Sequence, residues 1–87
     1  MDTPAITITH RQLEVLEYVA SFREGHGVSP TLTEVGAFLG VSKSTARDHV
    51  LSLRIAGALG SNDAGLHRAL YVTEAGQAHL ERFGRTA

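Results

Sequence analysis

The sequence predicts a mainly α-helical fold with one small β-hairpin: three core helices, the hairpin, then a fourth helix. Three observations predict it. Hydroxyl residues stand where helices should start, two of them followed three residues later by Gln or Glu. Glycines stand where the first three helices should stop. The alternating stretch Arg68-Ala69-Leu70-Tyr71-Val72 follows a cluster of turn formers, Ser61-Asn62-Asp63-Ala64-Gly65.

Residues 1–8 read as a tail or short strand, because Ile6 and Ile8 alternate with Thr7 and Thr9. Thr9 and Gln12 then make a capping box, and Leu13, Val15, Leu16, Val19, Ala20 and Phe22 recur at helical spacing. Glu14, Glu17, Ser21 and Glu24 take the other side. The first helix is expected over about residues 10–24, ended by Gly25 and Gly27. Pro30 biases Ser29 towards an extended link. Thr31 and Glu34 make a second capping box for a helix over residues 32–39, with Leu32, Val35, Phe38 and Leu39 as its apolar stripe and Gly40 as its stop.

Val41 is expected to be buried in the turn that follows, with Ser42 as the next N-cap and Ser44 and Thr45 as alternative hydroxyls. In the third helix, residues 43–56, Ala46, Val50 and Leu53 fall at core spacing; Lys43, Ser44, Arg47, Asp48 and Leu51 fall on the other side. Gly57 stops it. A strand within residues 58–61 and another over 68–72 form the hairpin, or wing. Thr73 caps a weakly amphipathic last helix over residues 74–83, whose largest apolar groups are Leu80 and Phe83. The expected organisation is a tail over residues 1–8, a core unit over 9–73, and a C-terminal helical element over 74–87 that serves dimerisation.

A chain of 87 residues makes one small domain and leaves little room for a catalytic cleft. Its apolar content of 43% is that of a globular protein. No cysteine is present, which fits a cytoplasmic protein, and neither a secretory leader nor a bilayer-spanning run is expected. The histidines His10, His26, His49, His67 and His79 have no metal-binding spacing. His49 adjoins the core face and reads as packed, while His67 lies where a wing could sense pH. With no nucleophile–base set or Gly-rich phosphate loop, the chain is not expected to be an enzyme, nor to bind a metal, cofactor or small molecule.

The net charge is −1, but it is unevenly spread. Residues 1–42 carry five acids against two arginines, net −3. Residues 43–68 carry Lys43, Arg47, Arg54 and Arg68 against Asp48 and Asp63, net +2, and the remainder balances. Local field rather than total charge attracts phosphate.

Short helix, tight turn and longer helix, followed by a wing, is the winged helix-turn-helix layout. The start of its second helix carries small and polar side chains, which suits insertion into the major groove of double-stranded DNA. Arg47 has the fork geometry for guanine O6 and N7, and Lys43 suits a phosphate. Asp48 orients one of these two, accepts from cytosine N4, or is a plain surface acid. Ser42, Ser44, Thr45 and Thr31 combine capping with possible phosphate contact, and Arg54 and Arg68 complete the DNA-contact candidates. A homodimer joined through Leu80 and Phe83 would read a pseudo-palindrome. The rival is a protein-interaction module using the same helix face, favoured by Leu51 and the near-zero net charge.

The stretches Thr9-His-Arg-Gln-Leu-Glu-Val-Leu, Ser29-Pro-Thr-Leu-Thr-Glu-Val and Leu39-Gly-Val-Ser-Lys-Ser-Thr-Ala-Arg-Asp-His-Val, continued by residues 53–59, resemble the DNA-binding domain of LexA-type repressors. The likeness covers about residues 8–72. It implies a three-helix winged fold whose third helix reads operator DNA. The later stretch Leu70-Tyr-Val-Thr-Glu-Ala-Gly-Gln-Ala-His-Leu is similar to the wing-to-final-helix junction of MarR-like regulators. Two departures stand out. The protease domain of LexA-type repressors has no counterpart in these 87 residues, so self-cleavage is not expected to carry over. Ala56 stands where the family often has lysine, and residues 62–67 hold no Arg or Lys, so helix three is expected to carry most of the recognition.

Overall fold

Capping chemistry sets the helix bounds. In the computed structural model, which describes residues 8–62 and 68–83, the order is α1 (His10–His26), α2 (Leu32–Leu39), α3 (Lys43–Ile55), β1 (Leu59–Ser61), β2 (Leu70–Val72) and α4 (Glu74–Phe83). Thr9 Oγ1 accepts the Gln12 N–H at 3.1 Å and Gln12 Oε1 accepts the Thr9 N–H at 3.1 Å, closing the first capping box. Helix α1 runs two residues past the expected stop, because Gly25 stays helical and only Gly27, at φ 75°, takes the left-handed cap. The added turn is supported by the Gly27 N–H bond to Arg23 O at 2.9 Å and by His26 Nδ1 donating to Phe22 O at 3.1 Å. Helix α3 ends one residue early, at Ile55, with Ala56 as its cap.

The core gathers one face of each element: Val15, Leu16 and Val19 from α1, Leu32 and Val35 from α2, Ala46, Val50 and Leu53 from α3, and Leu59 and Leu70 from the hairpin. Three expectations need correction. Phe38 is 58% exposed. Helix α2 has only eight residues and gives Leu32 and Val35 to the core, so Phe38 instead stacks on Tyr18, with ring centroids 4.3 Å apart. Leu51 is half-buried against the core edge rather than on the solvent face, as a long apolar side chain at the border of a helix's buried face is. Val41 is half-buried, not buried.

The hairpin strands are shorter than expected. They pair antiparallel as Leu59–Val72, Gly60–Tyr71 and Ser61–Leu70, extended by the Asn62 N–H bond to Ala69 O at 3.0 Å. Leu59 and Leu70 face the core, while Tyr71 turns outward and lies over Gly60. Ile8 packs against the core edge. Ile6, the turn formers Asp63 to Gly65, His67 and residues 84–87 fall outside the described residues.

Helix α4 is seated through Thr73. Its hydroxyl accepts the Gly76 N–H at 3.0 Å and donates to Gly57 O, and its N–H donates to Ala58 O at 3.1 Å. Leu80 then packs against the core.

Candidate nucleic-acid interface

The α2–turn–α3 unit is pinned at its bend. The Val41 N–H donates to Gly36 O at 2.9 Å, and a Cβ on Gly36 would stand 2.8 Å from Val41 O. Glycine at 36 therefore lets the turn lie on α2, and Gly40, at φ 75°, reverses the chain. Helix α3 begins from Ser42, whose Oγ accepts the Thr45 N–H at 3.1 Å and donates to Thr45 Oγ1 at 3.1 Å. Ser42 is thus the cap among the three candidate hydroxyls.

Ala46, Val50 and Leu53 have no exposed surface, which fixes the orientation of α3. Lys43, Ser44, Thr45, Arg47, Asp48 and Arg54 are all exposed, while His49 and Leu51 are half-buried. At 100° per residue, Lys43, Arg47 and Arg54 share a stripe about 40° wide. Among the described residues these three cations have no ion-pair partner. The other described arginines are set differently. Arg11 pairs with Glu14 at 3.3 Å, Arg23 donates to Leu70 O at 2.8 Å, and Arg82 lies 5.3 Å from the Phe83 ring centroid.

Thr31 caps α2, its Oγ1 accepting the Glu34 N–H at 3.1 Å while Glu34 Oε1 accepts the Thr31 N–H at 2.8 Å. Arg68, unlike the α3 cations, pairs with Glu34. The Thr31 backbone N–H first, and the Arg68 guanidinium second, hold the Glu34 carboxyl below its ordinary pKa. Burial, and then the charge of Glu34, push the neighbouring Tyr18 phenol up. The groove between α1 and α4, where Glu17, Glu24 and Glu81 surround Ala20 and Leu80, has the wrong sign for phosphate. Among the described residues no cluster suits a metal ion, and no helix is long and apolar enough to cross a membrane. The two expected dimer residues differ in setting: Leu80 packs inward, whereas Phe83 is 57% exposed beside His79.

Comparison with known families places this geometry. The model of the LexA DNA-binding domain matches residues 6–69. The chain belongs to the LexA DNA-binding domain family. It is 42% identical over 74 residues to the LexA repressor of Anaeromyxobacter dehalogenans strain 2CP-1, covering 84% of this chain and 32% of that protein. It is 40% identical over 67 residues to the LexA repressor of Lactobacillus delbrueckii subsp. bulgaricus, covering 76% and 32%. It is 38% identical over 73 residues to that of Pediococcus pentosaceus, covering 83% and 34%. The chain thus spans about a third of the length of these curated relatives. Membership in the LexA DNA-binding domain family supports sequence-specific binding of double-stranded DNA by this small regulatory module.

Sequence reasoning missed the ties that hold the wing to the helices of this LexA-type domain. Ser29 is fully buried, and its Oγ accepts the Leu70 N–H at 3.2 Å. The partners lie 41 residues apart, so no local pattern marks them.

Proposed function

We propose that this LexA-type domain is the DNA-reading part of a transcriptional regulator, with α3 in the major groove. The observation that supports this best is the contrast among cations: Lys43, Arg47 and Arg54 are exposed, aligned and without ion-pair partners among the described residues, while Arg11 and Arg68 pair with glutamates and Arg23 with a backbone carbonyl. Arg47 reads base edges through its guanidinium fork, Lys43 and Arg54 hold phosphates, and Ser44, Thr45 and Asp48 complete the surface that meets the groove. Ser42 sets the first-turn amides of α3 where a phosphate is favoured, whereas the Thr31 N–H at the start of α2 is taken by Glu34 Oε1. Two copies, associated through exposed Phe83 on α4, bind half-sites about one helical turn apart.

The test is selection from a random duplex pool at two salt concentrations. A recovered motif whose affinity falls steeply with salt supports the reading. Failure to bind any duplex at low salt refutes it in favour of a protein-interaction module. Of the two features that favour that alternative, the near-zero net charge remains, while Leu51 is half-buried rather than fully exposed.

A further inference from the structure

Within the basic segment 43–68, Arg68 is the cation that the fold itself employs. Its Nη1 donates to Glu34 Oε1 and its Nη2 to Glu34 Oε2, both at 3.1 Å, and Nη1 also donates to Ser29 O at 3.1 Å. Planar, two-pronged pairing of this kind is specific to arginine. Its partner is equally fixed, because Glu34 closes the α2 capping box. Arg68 also holds φ 46°, a left-handed state that a residue with a Cβ keeps only where its surroundings fix it. Two residues on, Leu70 donates its N–H to buried Ser29 Oγ and accepts from Arg23 Nη1.

These contacts form a continuous path. Arg68 and Leu70 tie β2 to the α1–α2 link and to the first turn of α2, and the Gly36–Val41 contact ties α2 to α3. We propose that Arg68 is a positioning residue rather than a DNA ligand: with Glu34 it straps the return strand of the wing to α2, and so sets the stance of the wing beside α3. A phosphate reaching Arg68 would have to displace a bidentate carboxylate and a carbonyl oxygen, whereas Lys43, Arg47 and Arg54 have no ion pair to break among the described residues. The consequence for binding rests on the DNA-binding reading; the strap itself does not.

Three variants of the full chain test it: Glu34→Gln, Arg68→Lys and Arg68→Gln. Glutamine at 34 keeps an acceptor for the Thr31 N–H, so the cap survives while the charge is lost. Two quantities are read, the hydrogen-exchange rate of the Leu70 amide without DNA, and the affinity and salt slope for a selected duplex. The strap predicts that all three variants speed Leu70 exchange and weaken binding by about three- to tenfold, the scale on which supporting networks act. It also predicts an unchanged salt slope, since no phosphate contact is removed. Three results overturn it: Leu70 exchange unaffected by Glu34→Gln, tighter binding by Glu34→Gln, or wild-type affinity in Arg68→Lys with a slope reduced by about 0.9 in Arg68→Gln, the signature of one phosphate contact. If the wild-type chain selects no duplex, the DNA-binding reading fails, and Leu70 exchange alone decides the strap.

Discussion

Gly76 stands against the carbonyl oxygen of Ala58 with no room for a methyl group between them. The same oxygen accepts the Thr73 N–H, so the first turn of α4 rests directly on the link between α3 and β1. Alanine normally gains about 1 kcal/mol over glycine inside a helix. Here it meets backbone that cannot rotate away. Gly76→Ala is expected to lower stability by about 1–3 kcal/mol in urea unfolding, as overpacking does. A midpoint equal to or above that of the wild type would show that the seat of α4 yields.

Capping and DNA contact separate at the start of α3. Ser42→Ala removes the acceptor for the Thr45 N–H and is expected to cost about 1 kcal/mol of stability. Ser44 is exposed and does not cap, so Ser44→Ala is expected to leave the urea midpoint unchanged while weakening duplex binding. If Ser44→Ala destabilises as much as Ser42→Ala, the capping assignment is wrong.

Arg47 and Lys43 should fail differently. Arg47→Ala is expected to cost about 1–3 kcal/mol on the preferred duplex and to flatten the preference between sequences. Lys43→Ala is expected to weaken all duplexes alike and to lower the salt slope by about 1. Competition titrations with matched and mismatched duplexes distinguish the two outcomes.

Glu34 gives the domain an acid-sensitive element. The Thr31 N–H, and then Arg68, hold its folded pKa below the ordinary carboxylate value. The unfolded chain therefore binds this proton more readily than the folded one. The stabilisation is fully present above the ordinary, unfolded carboxylate pKa and is lost as pH falls through the depressed folded value. Glu34→Gln is expected to make stability less dependent on pH across that window, measured by urea unfolding between neutral and strongly acid pH. An acid limb identical to that of the wild type would exclude Glu34 as its source.

Leu80 and Phe83 allow folding and the proposed association to be tested separately. Leu80 packs against the core, so Leu80→Ala is expected to cost about 1–2 kcal/mol, less than a fully buried leucine. Phe83 is exposed, so Phe83→Ala is expected to leave monomer stability intact and to shift sedimentation from dimer to monomer. A dimer that survives Phe83→Ala would place the interface elsewhere.

The helices were legible in the sequence because their signals are local. The Thr9–Gln12 and Thr31–Glu34 boxes close exactly one turn, and Gly27, Gly40 and Gly57 all hold positive φ at or just after helix ends. Ala46, Val50 and Leu53 were readable as core for the same reason, their spacing being that of one helix face. What escaped depends on distant partners. Charge counting groups Arg68 with Lys43, Arg47 and Arg54, yet among the described residues only Arg68 of these four finds a carboxylate, 34 residues away. Periodicity places Phe38 in a buried stripe, but Tyr18 of another helix offers it a ring to stack on instead.

The ties of the hairpin to the helices also bear on the order in which the chain assembles. Each helix closes its bonds over three or four residues, whereas the hairpin is held by contacts spanning 34, 41 and 47 residues. Bringing such distant segments together costs more chain entropy, and a hairpin with three residues per strand cannot offset that cost alone. It is therefore expected to condense onto α1 and α2 after they have docked, and α4, seated on Gly57 and Ala58, to follow it.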